Sequence, residues 1–591
     1  MLPEGEAVES PAMPGHQISG PPLAEVPFRT VPEMIAARAA LDPERAALQA
    51  RASSGKWQTL FWGALDARRR SLAAGLASLG VRRGDVVAVV SPNSPEMLIA
   101  ELAAQTLGAA VAPIFPGYAP EILHHCLSDS GARVAFVAGA AQQLLLSRAR
   151  QVQHIVVLDG QPIAGDERGL PLRALDEAGV HEGESGEPGE VAWLLYTSGT
   201  TGNPKGVELT HGNALSQQAA IAAVWDVGSD DVFLSYLPWH HCFGALFERL
   251  MALWHRALLV IDDSRGRDLD RLFRNLGEVR PTVYFGVPRV YNGMIARAEK
   301  DPEARAALRR LRFAFSAAAP LGEPAFRWLE ENGIPVLEGW GLTETSPCVT
   351  ITRKEDRRSA GVVGHPLPGT TVALDPVEGF SGRGEILVSG PQVMRGYRKR
   401  AEDSARVLRD GWLHSGDLGE WTSAGLKLFG RIDGVFKLAN GEKVSSGEVE
   451  ARMLAATPLL DQALVLGWGQ PYVTALCWIS PPAAQRWLEG RGLEVPQGPA
   501  ALAQAPELRR ALVEALQASN LLASVHFERV RRVALVTEIP SLETGELTPT
   551  MKLVRSLSLS RHSSLVDALR TDQPHPQILD IFRHGDPFGQ P

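Results

Sequence analysis

The sequence predicts an α/β fold in which parallel strands are covered by helices. Short apolar runs alternate with segments whose apolar residues recur at helical spacing, which is the pattern of successive βαβ units. The first series comprises strand patterns at 86–90, 109–114, 133–137 and 154–158 and helix patterns at 96–107 and 121–127. No G-x-G-x-x-G follows a strand in this series, so a dinucleotide-binding fold has little support.

Composition indicates the class of protein before any motif is considered. The chain has 591 residues, of which 45% are hydrophobic and 21% are charged. This composition is typical of a globular protein with several compact units and unlike that of a disordered or fibrous chain. The net charge of −8 provides no overall basic field for non-specific nucleic-acid binding, so we expect no nucleic-acid partner.

The cellular compartment is predicted from cysteine usage and from the ends of the chain. Cys126, Cys242, Cys348 and Cys477 lie far apart without a C-x-x-C, which argues against a disulfide framework and favours the reducing cytoplasm. The acidic, proline-rich N-terminus lacks the features of a signal peptide. We therefore expect a cytoplasmic protein, with peripheral membrane contact left open. Residues 1–26 and 566–591 are predicted to be flexible tails.

A candidate phosphate-binding loop follows the apolar strand pattern at 191–196. The loop combines hydroxyl residues and glycines with one lysine, and its candidate ligands are Thr197, Ser198, Gly199, Thr200, Thr201, Gly202 and Lys205. Backbone N–H groups and hydroxyls in such a loop can surround an anion. It is not a Walker A loop, because Pro204 precedes Lys205 and Gly206 follows it. A polar hairpin at a sheet edge is the alternative for a loop of this composition.

Six strings in order along the chain resemble the adenylate-forming, or AMP-binding, superfamily, which contains acyl-CoA synthetases, luciferases and adenylation domains of peptide synthetases. The strings are YTSGTTGNPKGVELTH from Tyr196, LPWHHCFG from Leu237, GWGLTET from Gly339, HSGDL from His414, GRIDGVFK from Gly430 and ELTPTMK from Glu546. Together they cover about residues 30–560.

The resemblance implies a large N-terminal domain of stacked α/β subdomains at 27–432 and a small mobile α+β C-terminal domain at 433–565, with a hinge at Asp433. It also implies two half-reactions. ATP converts a carboxylate into an acyl adenylate with release of pyrophosphate, and a thiol such as CoA then takes the acyl group. Because both reactants of the first step are anions, catalysis must rest on positioning and on cationic stabilisation of the α-phosphate, for which Mg²⁺ and lysine are suited.

The resemblance also implies roles for individual residues. The phosphate loop would hold the phosphates, Glu344 would help to coordinate Mg²⁺, and Thr343 would lie beside the α-phosphate. Lys552 would reach the reacting groups during adenylation, and Lys437 would arrive for thioester formation. The remaining nucleotide ligands would be Trp340 and Gly341 near the adenine, Asp417 at the ribose hydroxyls, and Arg431 at the ribose or phosphates.

The acid is expected to be a long-chain fatty acid. His241 and Gly341 match positions at the acyl pocket, and Gly341 stands where a tryptophan blocks the pocket of acetate-activating relatives. The block at 237–247 has no acidic residue to hold an amino-acid ammonium. The strings PTVYFGVPRVY from Pro281 and ELTPTMKLVR from Glu546 resemble long-chain acyl-CoA synthetases of the bubblegum-like kind.

We therefore predict a Mg²⁺- and ATP-dependent long-chain fatty acid–CoA ligase. Two alternatives remain: a fatty-acyl-AMP ligase that loads a carrier protein, and a non-catalytic protein that binds an acyl group or a nucleotide. The presence of Lys205, Glu344, Asp417, Arg431 and Lys552 argues against the non-catalytic alternative. Acyl length and oligomeric state are not predicted.

Overall fold

The computed structural model describes residues 16–175, 179–181, 186–197, 203–319, 321–541, 544–548, 552–571 and 573–582. In these ranges the strands form five sheets, and helices cover the two largest. The predicted mixed α/β class is confirmed.

The first large sheet contains eight strands in the order β20-β10-β9-β5-β4-β6-β7-β8. Its strands β9, β5, β4, β6, β7 and β8 run parallel, which confirms the predicted βαβ alternation. The strands are β4 (Val86–Val90), β5 (Ala110–Pro113), β6 (Val134–Val137), β7 (His154–Val157), β8 (Gly169–Pro171), β9 (Val191–Thr197), β10 (Lys205–Thr210) and β20 (Gly396–Tyr397).

The second large sheet contains nine strands in the order β17-β16-β15-β14-β13-β11-β12-β2-β3. Strands β15 to β2 in this order are parallel, so their carboxyl ends share one edge, which is where α/β folds place ligands. The strands are β2 (Ala46–Arg51), β3 (Trp57–Phe61), β11 (Val232–Ser235), β12 (Leu258–Ile261), β13 (Val283–Gly286), β14 (Phe313–Ser316), β15 (Val336–Trp340), β16 (Thr350–Ile351) and β17 (His365–Pro366).

The third sheet is antiparallel and corrects the predicted N-terminal tail. Residues 17–19 form its edge strand and pair with β18 from Gln17 opposite Ala373 to Ser19 opposite Thr371, because the edge of β18 offers backbone groups that need partners. Its strands are β1 (Gln17–Ser19), β18 (Thr371–Pro376), β19 (Gly384–Ser389), β21 (Leu408–Arg409), β22 (Trp412–Thr422) and β23 (Gly425–Arg431).

The C-terminal unit, residues 435–582, has hydrophobic clusters of its own, which begin at Phe436. The predicted C-terminal tail also needs correction, since β29 lies within it and pairs with β28, with Arg532 opposite Asp580. Arg509 fixes this strand by donating to the carbonyls of Pro576 and Ile578. The strands are the hairpin β24 (Val435–Lys437) and β25 (Lys443–Ser445) and the sheet β26 (Leu460–Leu466), β27 (Val473–Ile479), β28 (Val530–Val536) and β29 (Ile578–Asp580).

Several of the described helices begin at a residue whose side chain caps them. Thr30, Ser94 and Asp268 each accept a hydrogen bond from the first turn of the helix that follows, and several helices have proline in that turn. The α-helices are α1 (Val31–Leu41), α2 (Trp62–Ser78), α3 (Pro95–Thr106), α4 (Pro120–Ser130), α5 (Ala140–Ser147), α6 (His211–Ala222), α7 (Leu250–His255), α8 (Leu269–Val279), α9 (Pro288–Ala298), α10 (Pro302–Arg309), α11 (Glu323–Glu331), α12 (Ala401–Val407), α13 (Ser446–Ala456), α14 (Pro481–Glu489), α15 (Pro499–Gln504), α16 (Pro506–Leu521), α17 (Arg555–Arg561) and α18 (Ser563–Leu569).

A π-helix, π1 (Phe243–Arg249), precedes α7 and joins the two large sheets. At its end Arg249 forms a buried ion pair of 2.6 Å with Glu101 on α3, and the guanidinium lies 4.9 Å from the ring centre of Trp239. Removing one partner of such a pair leaves an uncompensated buried charge, which typically costs about 3–5 kcal/mol. The pair therefore fixes π1 against the first sheet. Among the described helices, none has the length and hydropathy needed to cross a bilayer.

Candidate active site

A single continuous cleft of about 3420 Å³ runs between the large sheets and the C-terminal unit. Most of the residues predicted to be functional line it: Thr197, Lys205, His241, Trp340, Gly341, Thr343, Glu344, Asp417, Arg431, Asp433 and Lys552. Ser198, Gly199, Thr200, Thr201 and Gly202 lie outside the described residues. Lys437 is exposed at the end of β24 and does not line the cleft.

The phosphate side of the cleft is formed where β9 ends and β10 begins. Thr197 is the last residue of β9 and pairs with Lys205, the first residue of β10, so the predicted phosphate loop closes an antiparallel hairpin. The Lys205 ammonium lies 3.1 Å from an Asp403 carboxylate oxygen and 5.1 Å from the centre of the Tyr397 ring. One lysine is thus held between a carboxylate and an aromatic face.

Thr343 and Glu344 lie in a 3₁₀ turn (Thr343–Thr345) that follows β15. Tyr397 donates its phenol O–H to Glu344 Oε1 at 2.7 Å. The Thr343 hydroxyl lies 3.2 Å from the Cys242 sulfur. Burial raises the pKa of Cys242 to about 12, so this thiol is neutral at physiological pH. Glu344 presents its carboxylate to this part of the cleft.

The predicted ribose ligand, Asp417, is held by two neighbours. Trp340 donates its indole N–H to Asp417 Oδ2 at 2.7 Å, and Arg431 Nη1 donates to Asp417 Oδ1 at 3.2 Å. Burial raises the pKa of Asp417, and the charge of Arg431 opposes that shift. Asp417 and Arg431 face each other across β22 and β23, so sheet register sets this pair. Arg431 also reaches Asp433 at 3.4 Å.

Lys552 reaches the cleft from a hairpin of the C-terminal unit. Thr548 N donates to Lys552 O at 2.8 Å, and Val554 N donates to Glu546 O at 2.8 Å. The Lys552 side chain keeps contact with solvent in the cleft. Enclosure by protein desolvates its ammonium and lowers its pKa, and the nearby negative charge of Asp417 partly opposes this shift. Lys552 and Asp417, the predicted ribose ligand, thus line the same cleft, and their charges interact.

The opposite end of the cleft is apolar and aromatic. Phe243, Phe247 and Phe315 line it, and their ring centres lie 4.9 to 5.9 Å apart. Burial lowers the pKa of His241 to about 4, and the positive charge of Lys552 acts in the same direction. His241 is therefore a neutral group where the apolar region meets the charged one.

Gly341 is small for a reason that the sequence did not reveal. A Cβ at this position would lie 1.7 Å from the Pro347 carbonyl oxygen. Close approach of the chain's own backbone therefore accounts for the glycine without reference to the acyl chain. The inference that this glycine also leaves room for a longer acid stays a prediction.

Sequence reasoning missed two residues that line the cleft, Tyr397 and Glu338, and also Asp403, which contacts Lys205. Tyr397 and Asp403 contact Glu344 and Lys205 from a segment in which no motif was recognised. Glu338 is almost fully buried, lines the cleft and has one carboxylate oxygen without a partner among the described residues. Burial raises its pKa to about 8. Its position two residues before Trp340 on β15, and so on the same face of the strand, was the available signal.

The match to known families decides the identity of the fold. A sequence profile described as AMP-binding enzyme matches residues 35–398. The chain belongs to the AMP-binding enzyme family. A second profile, described as the C-terminal domain of AMP-binding enzymes, matches residues 433–573, which include the hairpin that carries Lys552.

Relatives of this AMP-binding enzyme have names that refer to long-chain acids. Long chain acyl-CoA synthetase 7, peroxisomal, of Arabidopsis thaliana is 27% identical over 568 residues, covering 85% of this chain and 80% of the relative. Long-chain-fatty-acid–CoA ligase FadD15 of Mycobacterium bovis is 28% identical over 596 residues, covering 89% and 95%. Long-chain-fatty-acid–CoA ligase 6 of Homo sapiens is 28% identical over 543 residues, covering 79% and 76%.

Solved structures share the fold of this AMP-binding enzyme. The anthranilate CoA ligase AuaEII in complex with anthranoyl-AMP matches with a TM-score of 0.76 at 21% identity, covering 92% of this chain and 99% of that chain. O-succinylbenzoate coenzyme A synthetase from Bacillus subtilis, in complex with ATP and magnesium ion, matches with a TM-score of 0.69 at 22% identity, covering 88% and 98%. The predicted large N-terminal and smaller C-terminal domains are thus those of adenylate-forming enzymes.

Proposed function

We propose that this AMP-binding enzyme uses ATP to convert a long-chain fatty acid into an acyl adenylate with release of pyrophosphate, and then transfers the acyl group to CoA, giving acyl-CoA and AMP. One observation carries the proposal. Lys552 of the C-terminal unit lies in the cleft within electrostatic reach of Asp417, whose two oxygens are held by Trp340 and Arg431. The Lys552 ammonium therefore lies near the proposed nucleotide ligands, where the carboxylate of the acid would meet the α-phosphate of ATP.

In the first half-reaction a carboxylate oxygen attacks the α-phosphorus, and the bond to the pyrophosphate oxygen breaks. The cleft supplies cations where negative charge gathers: Lys205 on the phosphate side, Arg431 beside the ribose ligand, and Lys552 between the acid and the phosphate. Such fixed charges stabilise the transition state without reorganising. Asp417 would accept hydrogen bonds from the ribose hydroxyls.

The donor set fits a magnesium ion that arrives with ATP. Glu344 presents a carboxylate in the cleft, and only its Oε1 accepts a hydrogen bond from the described residues. Mg²⁺ in nucleotide sites is commonly held by one or two carboxylates together with the phosphates and water. Glu344 would therefore hold the ion through its free oxygen, and the ion would neutralise phosphate charge.

A long-chain acid is supported by the apolar end of the cleft and by the names of the relatives. Phe243, Phe247 and Phe315 offer a hydrocarbon surface, and burying methylene groups stabilises a complex by about 0.8 kcal/mol for each group. Neutral His241 lies where this region meets the charged one. Because Gly341 is explained by the Pro347 carbonyl, the length of the acid rests on these observations alone.

The second half-reaction requires a different face of the C-terminal unit. Lys437 is exposed and outside the cleft in the observed arrangement, whereas Lys552 is inside it. A rotation about Asp433 would withdraw Lys552 and bring in the face that carries Lys437, so that one cleft serves both steps. The observed arrangement of the chain is therefore assigned to adenylation. The enzyme is proposed to act in the cytoplasm, as predicted from its cysteine usage.

The proposal is tested with purified protein, ATP, Mg²⁺ and saturated fatty acids of increasing length, with and without CoA. We expect acid-dependent exchange of pyrophosphate with ATP, and AMP formation that CoA accelerates most for long acids. Adenylate that hydroxylamine traps, with no gain from CoA, would instead favour the alternative of a ligase that loads a carrier protein. Absence of exchange with every acid would overturn the enzymatic proposal.

A further inference from the structure

Residues 394–404 connect two parts of the cleft that lie far apart in the sequence. Met394 N donates to Glu344 O at 2.8 Å, and Arg398 N donates to Gly206 O at 2.8 Å. Between these contacts β20 pairs with β10, placing Tyr397 opposite Val207. Backbone bonds therefore hold this segment to both the turn that carries Glu344 and the strand that begins with Lys205.

The Tyr397 side chain contacts both of these functional residues. Its hydroxyl donates to Glu344 Oε1 at 2.7 Å, and its ring lies 5.1 Å from the Lys205 ammonium, within the range of a cation–π contact. Burial and the charge of Glu344 raise the pKa of Tyr397. The phenol O–H is the donor in this hydrogen bond, and the Glu344 oxygen accepts it.

Asp403 holds Lys205 from the other side. Its carboxylate lies 3.1 Å from the Lys205 ammonium and within 3.7 Å of Arg400 and 3.4 Å of Arg406. The hydrogen bond from Lys205 lowers the pKa of Asp403, so this carboxylate is ionised. Lys205 is thus confined between a carboxylate and the ring of Tyr397, which limits the positions that a flexible lysine side chain would otherwise sample.

We propose that Tyr397 is a positioning residue that fixes the magnesium-binding carboxylate of Glu344 relative to the phosphate-binding ammonium of Lys205. By occupying Oε1, its hydroxyl leaves Oε2 of Glu344 for the ion that accompanies ATP, and its ring supports Lys205. This inference rests on the proposed function only in giving Glu344 and Lys205 their roles toward Mg–ATP. Tyr397 acts through those two residues, and no contact between Tyr397 and the nucleotide is part of the proposal.

The test is calorimetric titration of ATP into the full-length protein without fatty acid, at a series of Mg²⁺ concentrations. The variant Tyr397→Phe keeps the ring and removes only the hydroxyl. Because hydrogen bonds to charged groups contribute about 1.5–3 kcal/mol, we expect the Mg²⁺ concentration for half-maximal tightening of ATP binding to rise about 10- to 100-fold. ATP binding without Mg²⁺ should change less than about twofold, since the ring beside Lys205 remains.

Two further variants separate positioning from general structure. Tyr472→Phe removes a hydroxyl from the C-terminal unit, outside the cleft-lining residues, and should leave the Mg²⁺ dependence unchanged. Glu344→Gln should weaken the tightening of ATP binding by Mg²⁺. Adding Tyr397→Phe to this variant should weaken the tightening no further, because the hydroxyl acts through the Glu344 carboxylate. Independent, additive losses would overturn the proposal, as would a Tyr397→Phe variant with the wild-type Mg²⁺ dependence.

The outcome is separable from that of the proposed function. ATP binding is measured without acid, so a failure to activate fatty acids leaves the Tyr397 result readable. Conversely, wild-type Mg²⁺ dependence in Tyr397→Phe, together with normal acyl-CoA formation, would reject the positioning role and retain the ligase. Thioester formation from supplied acyl-AMP should stay within about twofold of wild type in Tyr397→Phe, since that step needs no ATP; an equal loss there would also count against the proposal.

Discussion

Lys552 is the residue whose placement most directly separates the two half-reactions. It reaches the cleft beside Asp417 while Lys437 remains outside. We expect Lys552→Ala to lower acid-dependent pyrophosphate exchange at least about 100-fold, a loss comparable to removing one charge-stabilising group from an active site. Thioester formation from supplied acyl-AMP should be largely spared. Lys300→Ala, outside the cleft-lining residues, is the matched control, and an equal loss in both half-reactions would contradict the assigned role.

The lowered pKa of Lys552 predicts a pH dependence for adenylation. The protonated ammonium is the stabilising form, so activity is present below the folded-state pKa and falls as the pH rises through it. Because enclosure lowers that pKa from its ordinary 10.5, the alkaline limb of pyrophosphate exchange should lie below pH 10.5. His241, with a pKa of about 4, stays neutral from pH 6 upward and should add no limb there.

The variant Lys552→Arg checks the origin of that limb. Arginine remains charged at all accessible pH values, although its planar fork does not reproduce the geometry of an ammonium. We therefore expect a lower rate with no alkaline fall attributable to this position. A limb of unchanged midpoint in Lys552→Arg would assign the titration to another group.

At the scale of single residues, the sequence predicted the side chains that the chemistry of the substrates requires. It did not reveal residues whose roles arise from tertiary contacts. Lysine, aspartate and glutamate at the nucleotide positions could be proposed because phosphates, ribose hydroxyls and Mg²⁺ each require such groups. Tyr397 and Asp403 could not, since their meeting with Lys205 arises from the pairing of β20 with β10. The close approach of Gly341 to the Pro347 carbonyl could not be predicted either, because it is a tertiary contact.

At the scale of elements, buried contacts hold the hairpin that carries Lys552, the proposed catalytic residue. Glu546 is fully buried at the base of the hairpin, and its Oε1 lies 2.8 Å from Nε2 of His562. Nδ1 of the same ring lies 3.2 Å from Glu538, and Arg561 reaches Glu546 Oε2 at 3.3 Å. These contacts hold the Lys552 hairpin against α17 and α18.

His562→Phe keeps an aromatic ring beside Trp478, 5.8 Å away between ring centres, but leaves the buried Glu546 carboxylate without the imidazole. Leaving a buried polar atom without its hydrogen-bond partner typically costs about 1–3 kcal/mol, so we expect a lower midpoint of urea unfolding for the C-terminal unit. Pyrophosphate exchange should fall about tenfold or more. A wild-type unfolding midpoint in His562→Phe would contradict the account.

Elements built on regular periodicity were predictable, whereas those that depend on partners were not. The strands β4 (Val86–Val90) and β6 (Val134–Val137) are apolar throughout because helices cover both faces, and such runs are visible in the sequence. The edge strands β1 and β29 are three residues long and exist because β18 and β28 offer backbone groups to them. The π-helix at Phe243–Arg249 has no recognised sequence period and is fixed by the ion pair between Arg249 and Glu101.

At the scale of the whole molecule, two ion pairs among the described residues cross between the C-terminal unit and the rest of the chain. Arg383, before β19, lies 2.8 Å from Glu448 on α13 and stacks on Phe429 with 3.7 Å between guanidinium and ring centre. Lys443 on β25 contacts Glu378, with 3.5 Å between the ammonium and the carboxylate. Both pairs would separate if the C-terminal unit rotated about Asp433, so they favour the arrangement in which Lys552 occupies the cleft.

The variant Arg383→Gln should therefore shift the balance between the half-reactions. In the observed arrangement Glu448 is partly buried, and burial raises its pKa while Arg383 opposes that shift. Without Arg383, the Glu448 carboxylate is still desolvated in the observed arrangement but has lost this positively charged partner. Rotation of the C-terminal unit would expose the carboxylate to water and remove the desolvation cost. The variant therefore destabilises the arrangement assigned to adenylation relative to the rotated one. We expect acid-dependent pyrophosphate exchange to fall about tenfold, equivalent to roughly 1.4 kcal/mol, while thioester formation from supplied acyl-AMP is unchanged or faster.

The matched control for this shift is Arg327→Gln, which removes an exposed pair with Glu323 within α11 and should change neither half-reaction, since exposed pairs contribute little. Raising the salt concentration should lower pyrophosphate exchange in the wild type more than in Arg383→Gln, because only the wild type has the Arg383–Glu448 attraction for salt to screen, whereas the Lys443–Glu378 pair is present in both. If Arg383→Gln slowed both half-reactions equally, the pair would be a general structural contact, and the balance between arrangements would have to be set elsewhere along the interface between the two units.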